Sequence, residues 1–509
     1  MVSQISSLCY LGLEVYPTEI EVDIQGGLPA VSIIGLVDAQ IKESRDRIRG
    51  AIKNSGYEFP REKIIINLAP ANIKKEGTHF DLAISLGILN SSNQVNLNLS
   101  PYFILGELSL EGKLREVRGV FPMALKAKEL GKKIILPRRN VKEASLVKGL
   151  EIYPADNLRE VVAFLSGTIE IRPVNLNLNE TFKQECKYDV DFSDVKGHLF
   201  AKRALEVAVS GMHNLLLIGP PGVGKTMLTR RLPTILPDME WEEILEVTKI
   251  YSIAGFLDRE NPLVRERPFR SPHHTSSSVA LVGGGANIRP GEITLAHNGV
   301  LFLDELPEFN RDALEALRQP LEDGFVTICR VSKHLKFPSR FLLAAAMNPC
   351  PCGYFGSSNK SCHCSSYQIQ KYRHKISGPL LDRIDIHIEL ADIKTKEMLS
   401  EEFKSETSSQ IKERVERVRV IQKERFKKEK IFFNSQMNHR QIRKYCRLDK
   451  EAKSLLERAI NQLGFSARAY DKILKVSRTI ADLSQSEEIS PEHISEAVQY
   501  RSLDKNLWV

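Results

Sequence analysis

Two stretches of this chain carry the residue types that handle phosphate. Residues 219–226 read Gly219, Pro220, Pro221, Gly222, Val223, Gly224, Lys225 and Thr226, directly after the apolar run Leu215–Ile218 and before the helix-compatible stretch MLTRRLPTIL. Glycines at this spacing let a loop curl until successive N–H groups point inward at an anion, and the following helix adds its positive N-terminal end. In such a loop Lys225 neutralises the β- and γ-phosphates and the Thr226 hydroxyl holds Mg²⁺. Further along, the apolar run Val300–Leu303 ends in Asp304 and Glu305. An acid at a strand end suits Mg²⁺, directly or through water, and Glu305 beside it suits a water aimed at the γ-phosphate. A core strand can end in two acids with no chemistry attached; the upstream loop gives this pair a purpose. ATP and Mg²⁺ are therefore the expected cofactors.

A second cluster is of soft ligands. The chain has eight cysteines, and four of them, Cys350, Cys352, Cys362 and Cys364, form the pattern C-x-C-x9-C-x-C with His363 and His374 nearby. They are too few and too clustered for a secreted disulfide scaffold. Four thiolates on one loop suit a structural tetrahedral Zn²⁺; free buried thiols or a disulfide are the alternatives.

A chain of 509 residues, 42% hydrophobic and 27% charged, is expected to fold as about two to four soluble globular domains. No apolar run is long enough to span a membrane, and the start MVSQISSLCYLGLEVYP lacks the basic cluster and long apolar core of a signal peptide. A cytoplasmic location is expected. Most of the net charge of +8 is local: residues 401–450 hold fifteen Lys or Arg against eight Asp or Glu. Such a stretch suits a polyanion, since neutralising phosphates releases condensed counterions. KERVERVRVIQKERFKKEK can equally be a solvated helix laced by i, i+4 pairs.

The elements that must position these groups are legible as periodicities. Residues 1–167 mix alternating strand-like runs such as TEIEVDIQ and KIIINLAP with the helical spacing of VDAQIKESRDRIRGAIKNSG, a hairpin in LGELSLEGKLREVRG and a helix in PMALKAKELG ending at Gly131. This predicts an α+β domain. Residues 168–190, polar and Asn-rich, read as a linker. Residues 191–393 read as an α/β core in which the phosphate-loop strand and the acid-ended strand are separated by a long insertion. Residues 394–509 read as a helical domain.

From Asp191 onward the residues resemble the Mg-chelatase-like AAA+ ATPases, and with the amino-terminal domain included the likeness extends over essentially the whole chain to their competence-associated subgroup. The resemblance implies further roles. FLLAAAMNP puts Asn348 where that family has a sensor asparagine. SGPLLDRIDI matches its arginine finger at Arg383, flanked by Asp382 and Asp385, and SARAYDK matches a second sensor arginine at Arg468. A finger has value only across a subunit interface, so a ring is implied, a homo-hexamer assembled on ATP and DNA. The stretch RPFRSPHHTSSSVALVGGGANIRPGEITLAHNG resembles the family's helix-2 insertion. DGFVTICRVSKHLKFPSRF resembles its hairpin before the first sensor, with Arg330, Lys333 and His334 near the tip. In related helicases such a hairpin touches DNA, which assigns that contact to Arg330 or Lys333; an edge hairpin kept soluble by charge is the alternative.

The amino-terminal domain resembles the Lon-protease fold, with His79 in KKEGTHFDLAISLGIL where that family bears its serine, and Phe121, Pro122 and Met123 where it bears its lysine. Without nucleophile and base there is no route to peptide hydrolysis, so the resemblance implies a protease-dead domain serving DNA binding or ring assembly. His79 with Asp81 is either a local functional pair or a satisfied structural histidine. The function implied is an ATP-driven DNA motor, a helicase and branch-migration factor that helps DNA integrate during natural transformation. The rival is an ATP-driven protein-remodelling motor of chelatase type, or a chaperone. Such a motor would present an aromatic, apolar pore loop rather than cations.

Overall fold

The computed structural model describes residues 2–174, 188–285, 288–330, 333–392, 405–429 and 431–501. The expected linker 168–190 falls largely outside them, as does the expected boundary at 393–394.

Strands β1 (Ser3–Leu11), β2 (Glu14–Gln25), β3 (Ala30–Ile34) and β4 (Lys63–Ala69) form a sheet in the order β1-β2-β4-β3, antiparallel except for β3 on β4. Their inward residues, among them Ile5, Ile20, Val22, Ile64 and Ile66, meet the buried helix Asp81–Ser91 and the helix Ala39–Asn54, whose first turn is capped by Asp38 on the Ile41 N–H at 2.9 Å. The short strands β5 (Tyr102–Ile104), β6 (Glu107–Leu108), β7 (Leu114–Arg115), β8 (Lys133–Pro137) and β9 (Ile152–Ala155) follow. β6 and β7 make the expected hairpin, and β5-β8-β9 a second, parallel sheet. The helix expected in PMALKAKELG runs Val120–Glu129.

A five-stranded parallel sheet carries the phosphate loop. It joins β10 (Leu215–Ile218), β11 (Phe269–Arg270), β14 (Val300–Leu303), β17 (Leu342–Met347) and β18 (Ile386–Glu389) in the order β11-β14-β17-β10-β18. The long strands read as unbroken apolar runs because both faces are covered. Leu215 and Leu217 enter the core beneath the helix Leu199–Gly211, while Leu216 and Ile218 enter the opposite one with Phe309 and Ile384. Between these strands, β12 (Gly283–Gly284) pairs with β13 (Arg289–Pro290), and β15 (Phe325–Arg330) forms a hairpin with β16 (Lys333–Pro338) in which Arg330 stands opposite Lys333. The base of that hairpin is wedged against the β1–β2 turn through Leu11, Leu335 and Phe337.

The chain ends in the helices Ser408–Arg425, His439–Tyr445, Lys450–Leu463, Ala467–Leu483 and Pro491–Gln499. The basic helix Ser408–Arg425 keeps few of its cations for solvent. Arg414 binds Glu206 and Glu406, Lys412 binds Asp238 at 2.6 Å, Lys423 binds Glu240 at 2.8 Å, Arg425 reaches Asp482 at 2.6 Å, and buried Arg419 lies 4.2 Å over the Phe433 ring. The partners lie mostly on other elements, not at i, i+4. The amino-terminal part meets the helix Trp241–Ala254: Ser252 donates its hydroxyl to buried Glu143 at 2.6 Å and accepts the Gly119 N–H at 3.2 Å. Among the described residues no helix is long and apolar enough to cross a membrane.

Candidate nucleotide site

The carboxyl ends of β10, β14 and β17 converge, as the sheet order requires of adjacent parallel strands. After β10 the loop turns through Gly222 (φ 80°) and Gly224 (φ 94°), left-handed conformations that a side chain would strain, and enters the helix Lys225–Thr229. Lys225 is buried. Its Nζ donates to the carbonyls of Gly219 at 2.5 Å and Pro220 at 2.8 Å, and to Asn348 Oδ1 at 3.1 Å from the end of β17. Burial pushes its pKa down to about 8, against the longer-range pull of Asp304 and Glu305. Among the described residues no carboxylate forms an ion pair with this ammonium, so the position suits an incoming anion such as a triphosphate.

Thr226 Oγ1 donates to Asp304 Oδ2 at 2.7 Å, which puts side by side two oxygens of the kind that would hold Mg²⁺. Glu305 has a left-handed backbone (φ 53°) that turns it out of the strand, and its N–H donates to Asp304 Oδ1 at 3.0 Å. Its carboxylate meets His274, Nδ1 to Oε2 at 3.3 Å, from the insertion after β11. His198 Nε2 lies 3.0 Å from the carbonyl of Val223, beside a cavity of about 590 Å³ lined by His198, Leu199, Lys202, Glu406 and Ile411. Neither histidine was singled out from sequence; the only signals were the KGH before an amphipathic helix and the PHH inside the insertion.

The two arginines stand elsewhere. Arg383 and Arg468 line one cleft of about 790 Å³ with Glu322, Asp382, Lys472 and Lys475, and none of residues 219–226, Asp304, Glu305 or Asn348 lines it. Arg383 binds Glu322 and the Pro379 carbonyl, and Arg468 reaches Asp382 at 3.8 Å. Below them Asp385 is buried. Burial disfavours its charge, yet Lys472 at 3.0 Å and His213 at 3.6 Å outweigh that and hold its carboxyl well below the ordinary range.

Cys350, Cys352, Cys362 and Cys364 bring their sulfurs within 4.8 Å of one another and could hold a metal; neither His363 nor His374 belongs to the group. The DNA contact expected of Arg330 and Lys333 rests on side chains outside the described residues. His334 lies 3.1 Å from Cys329 Sγ.

His79 is wholly buried, its Nε2 2.9 Å from the Leu8 carbonyl, and burial lowers its pKa to about 4 against the pull of that bond. It does not pair with Asp81. That carboxylate takes two bonds from Arg47 at 3.0 and 3.2 Å, and burial raises its pKa to about 6. Phe121, Pro122 and Met123 are buried on the helix Val120–Glu129, and Phe121 and Met123 belong to an apolar core. His79 is thus a buried, bonded imidazole, and Phe121 and Met123 lie in hydrocarbon.

Comparison with known proteins agrees with this architecture. Family models described as "Magnesium chelatase, subunit ChlI", "Subunit ChlI of Mg-chelatase" and "Magnesium chelatase, subunit ChlI C-terminal" match residues 191–398, 20–140 and 405–501. The chain is 43% identical to competence protein ComM of Haemophilus influenzae over 97% of its length and 96% of that protein's. It is 44% identical to the uncharacterized protein YifB of Escherichia coli over 98% and 96%. A partial likeness, 28% identity over 166 residues, links it to Lon protease 2 of Bacillus subtilis. With the parallel sheet and its helical carboxyl-terminal part, these matches establish that the chain belongs to the ComM/YifB-type, Mg-chelatase-like AAA+ proteins.

Proposed function

We propose that this protein is an Mg²⁺-dependent ATP hydrolase working in the cytoplasm as a homo-hexameric DNA motor, a helicase and branch-migration factor for natural transformation. The observation that carries the reading is the single cradle of Lys225, Thr226, Asp304, Glu305 and Asn348 at three adjacent strand ends. Lys225 and the N–H groups of residues 222–226 bind the phosphates, and Asn348 contacts the γ-phosphate or its attacking water. Mg²⁺, held through Thr226 and Asp304, neutralises phosphate charge when bound. Glu305 orients the attacking water once it leaves His274. The purine lies beside His198.

Arg383 and Arg468 share a cleft that no residue of their own cradle lines, and in this reading Arg383 serves the nucleotide of the neighbouring subunit while Arg468 is the sensor carried by the helical part. The units are residues 1–167, a protease-dead domain serving DNA binding or ring assembly, the linker 168–190, the core 191–393 and the helical 394–509. The DNA substrate is supported by the likeness to a protein named for competence and by the cations Arg330 and Lys333 of the hairpin in the sequence. Zn²⁺ on the cysteine cluster is a structural ion in this reading. A protein-remodelling motor is the second reading, favoured by the pairing of Lys412, Arg414, Lys423 and Arg425 with acids mostly on other elements, which leaves fewer cations of the basic helix for a polyanion.

The deciding experiment is ATP turnover with and without single-stranded and branched DNA, with labelled-strand displacement on the same samples. Stimulation and displacement, both lost in Lys225→Ala, are expected; turnover indifferent to every DNA tested would shift the conclusion to protein remodelling.

A further inference from the structure

Cys350 and Cys352 follow Asn348 at the end of β17, and Cys362 and Cys364 return to them just before the helix Ser366–Arg373. Cys350 Sγ lies 3.3 Å from Cys352 Sγ and 3.7 Å from Cys362 Sγ, and the latter two are 3.6 Å apart. Four sulfurs each about 2.3 Å from a tetrahedral centre stand about 3.8 Å apart along every edge. A disulfide would draw one pair to about 2 Å; these three separations are close instead to those of ligands around an ion, and Cys364 Sγ lies within 4.8 Å of the others. Backbone amides aim at the sulfurs as well: Phe355 N–H donates to Cys350 Sγ at 3.3 Å, and Cys364 N–H to Cys362 Sγ at 3.4 Å. Such bonds stabilise thiolate charge around a metal. Cys350 is buried and the other three are half-buried, leaving the ion a path from solvent.

The loop these sulfurs close is tied to the nucleotide cradle. A Cβ on Gly353 would fall 2.8 Å from two ring carbons of Pro221, so its bare backbone packs directly on the phosphate-binding loop. Arg373 donates to the Pro349 carbonyl at 3.2 Å and lies 5.4 Å over the Phe355 ring. Ser357 and Ser358 bind Asp392, just beyond β18, at 2.7 and 3.0 Å. The loop therefore begins at Asn348, backs Pro221, and hands the chain to the segment that carries Arg383.

We propose that the four thiolates hold one Zn²⁺ and that its occupancy governs ATP turnover, because the ion fixes the loop that carries Asn348 and supports Pro221. The consequence for turnover rests on the ATP-hydrolase reading above; the metal site does not. Loss of the ion would leave Lys225 and its amides in place and release Asn348, so turnover should fall further than ATP binding.

The test begins with metal content. Full-length protein purified without chelator should carry about one Zn²⁺ per chain, and Co²⁺ put in its place should give thiolate-to-cobalt charge-transfer absorbance. Cys352→Ser and Cys362→Ser should lose the metal and lower kcat about tenfold or more with ATP affinity little changed. Cys364→His, which keeps a zinc ligand, and Cys329→Ser, outside the cluster, should retain both. If the serine variants aggregate, stripping wild-type protein with a mercurial and chelator and then restoring Zn²⁺ reads the same coupling. Absence of bound zinc together with absence of cobalt–thiolate absorbance would overturn the site. Stoichiometric zinc whose removal leaves kcat unchanged would overturn the control of turnover. A zinc-loaded chain that never hydrolyses ATP would sink the hydrolase reading and its regulation while the metal content upholds the site.

Discussion

Lys225 is a buried ammonium bonded to two carbonyls and an amide oxygen, and its behaviour with pH follows from that. Its pKa falls from 10.5 to about 8 because burial penalises the charge. Between those values the unfolded chain still holds the proton that the folded site has released, so the nucleotide-free protein should gain stability as pH rises through that window. Phosphate reverses the balance by favouring the ammonium. ATP affinity should therefore weaken as pH climbs from about 7 to about 9, and a fluorescent-nucleotide titration flat over that range would remove Lys225 from the role assigned. Glu305→Gln should bind ATP normally and cease hydrolysis, measured as nucleotide retention against phosphate release. His274 holds the Glu305 carboxylate at 3.3 Å. His274→Ala should raise the DNA-free hydrolysis rate and shrink its stimulation by DNA; an unchanged ratio would make the contact incidental.

At the scale of elements, the helix Ser408–Arg425 shows charge serving architecture. Arg425 and Arg478 share the carboxylate of Asp482, which is itself buried with Asn434. Removing one cation of a buried, hydrogen-bonded set leaves the acid undercompensated, so Arg425→Ala should cost about 3 kcal/mol, read by chemical denaturation. A loss within experimental error would mean the helix is held by its apolar face alone, through Ile411 and Val415. The β15–β16 hairpin is likewise anchored, since Leu335 and Phe337 pack on Leu11 at the β1–β2 turn.

For the whole molecule, the separation of Arg383 and Arg468 from the cradle is the feature with consequence. Arg383→Ala supplies a sound cradle without a finger, and Lys225→Ala a finger without a cradle. Each should be inactive alone, and mixing them should restore part of the turnover if the arginines act on a neighbouring subunit. Failure of every mixing ratio to recover hydrolysis would deny the shared site.

Sequence by itself determined the local chemistry. Glycines spaced before Lys225 and Thr226 and acids ending an apolar strand are short-range facts that need no fold to read. The parallel strands were legible for the same reason, since strands buried on both faces become uninterrupted apolar runs. Convergence was decided only in three dimensions. Asn348 meets Lys225 because β17 lies next to β10, an adjacency set by the order β11-β14-β17-β10-β18 and not by order along the chain. His274 reaches Glu305 from a distant insertion, and Arg383 and Arg468 meet in a cleft that no spacing announces. The basic helix was ambiguous in sequence because its acidic partners sit on other elements. Tertiary packing supplies the partners of Arg414 and Arg425, and a cation's worth depends on whether a buried carboxylate or solvent stands opposite.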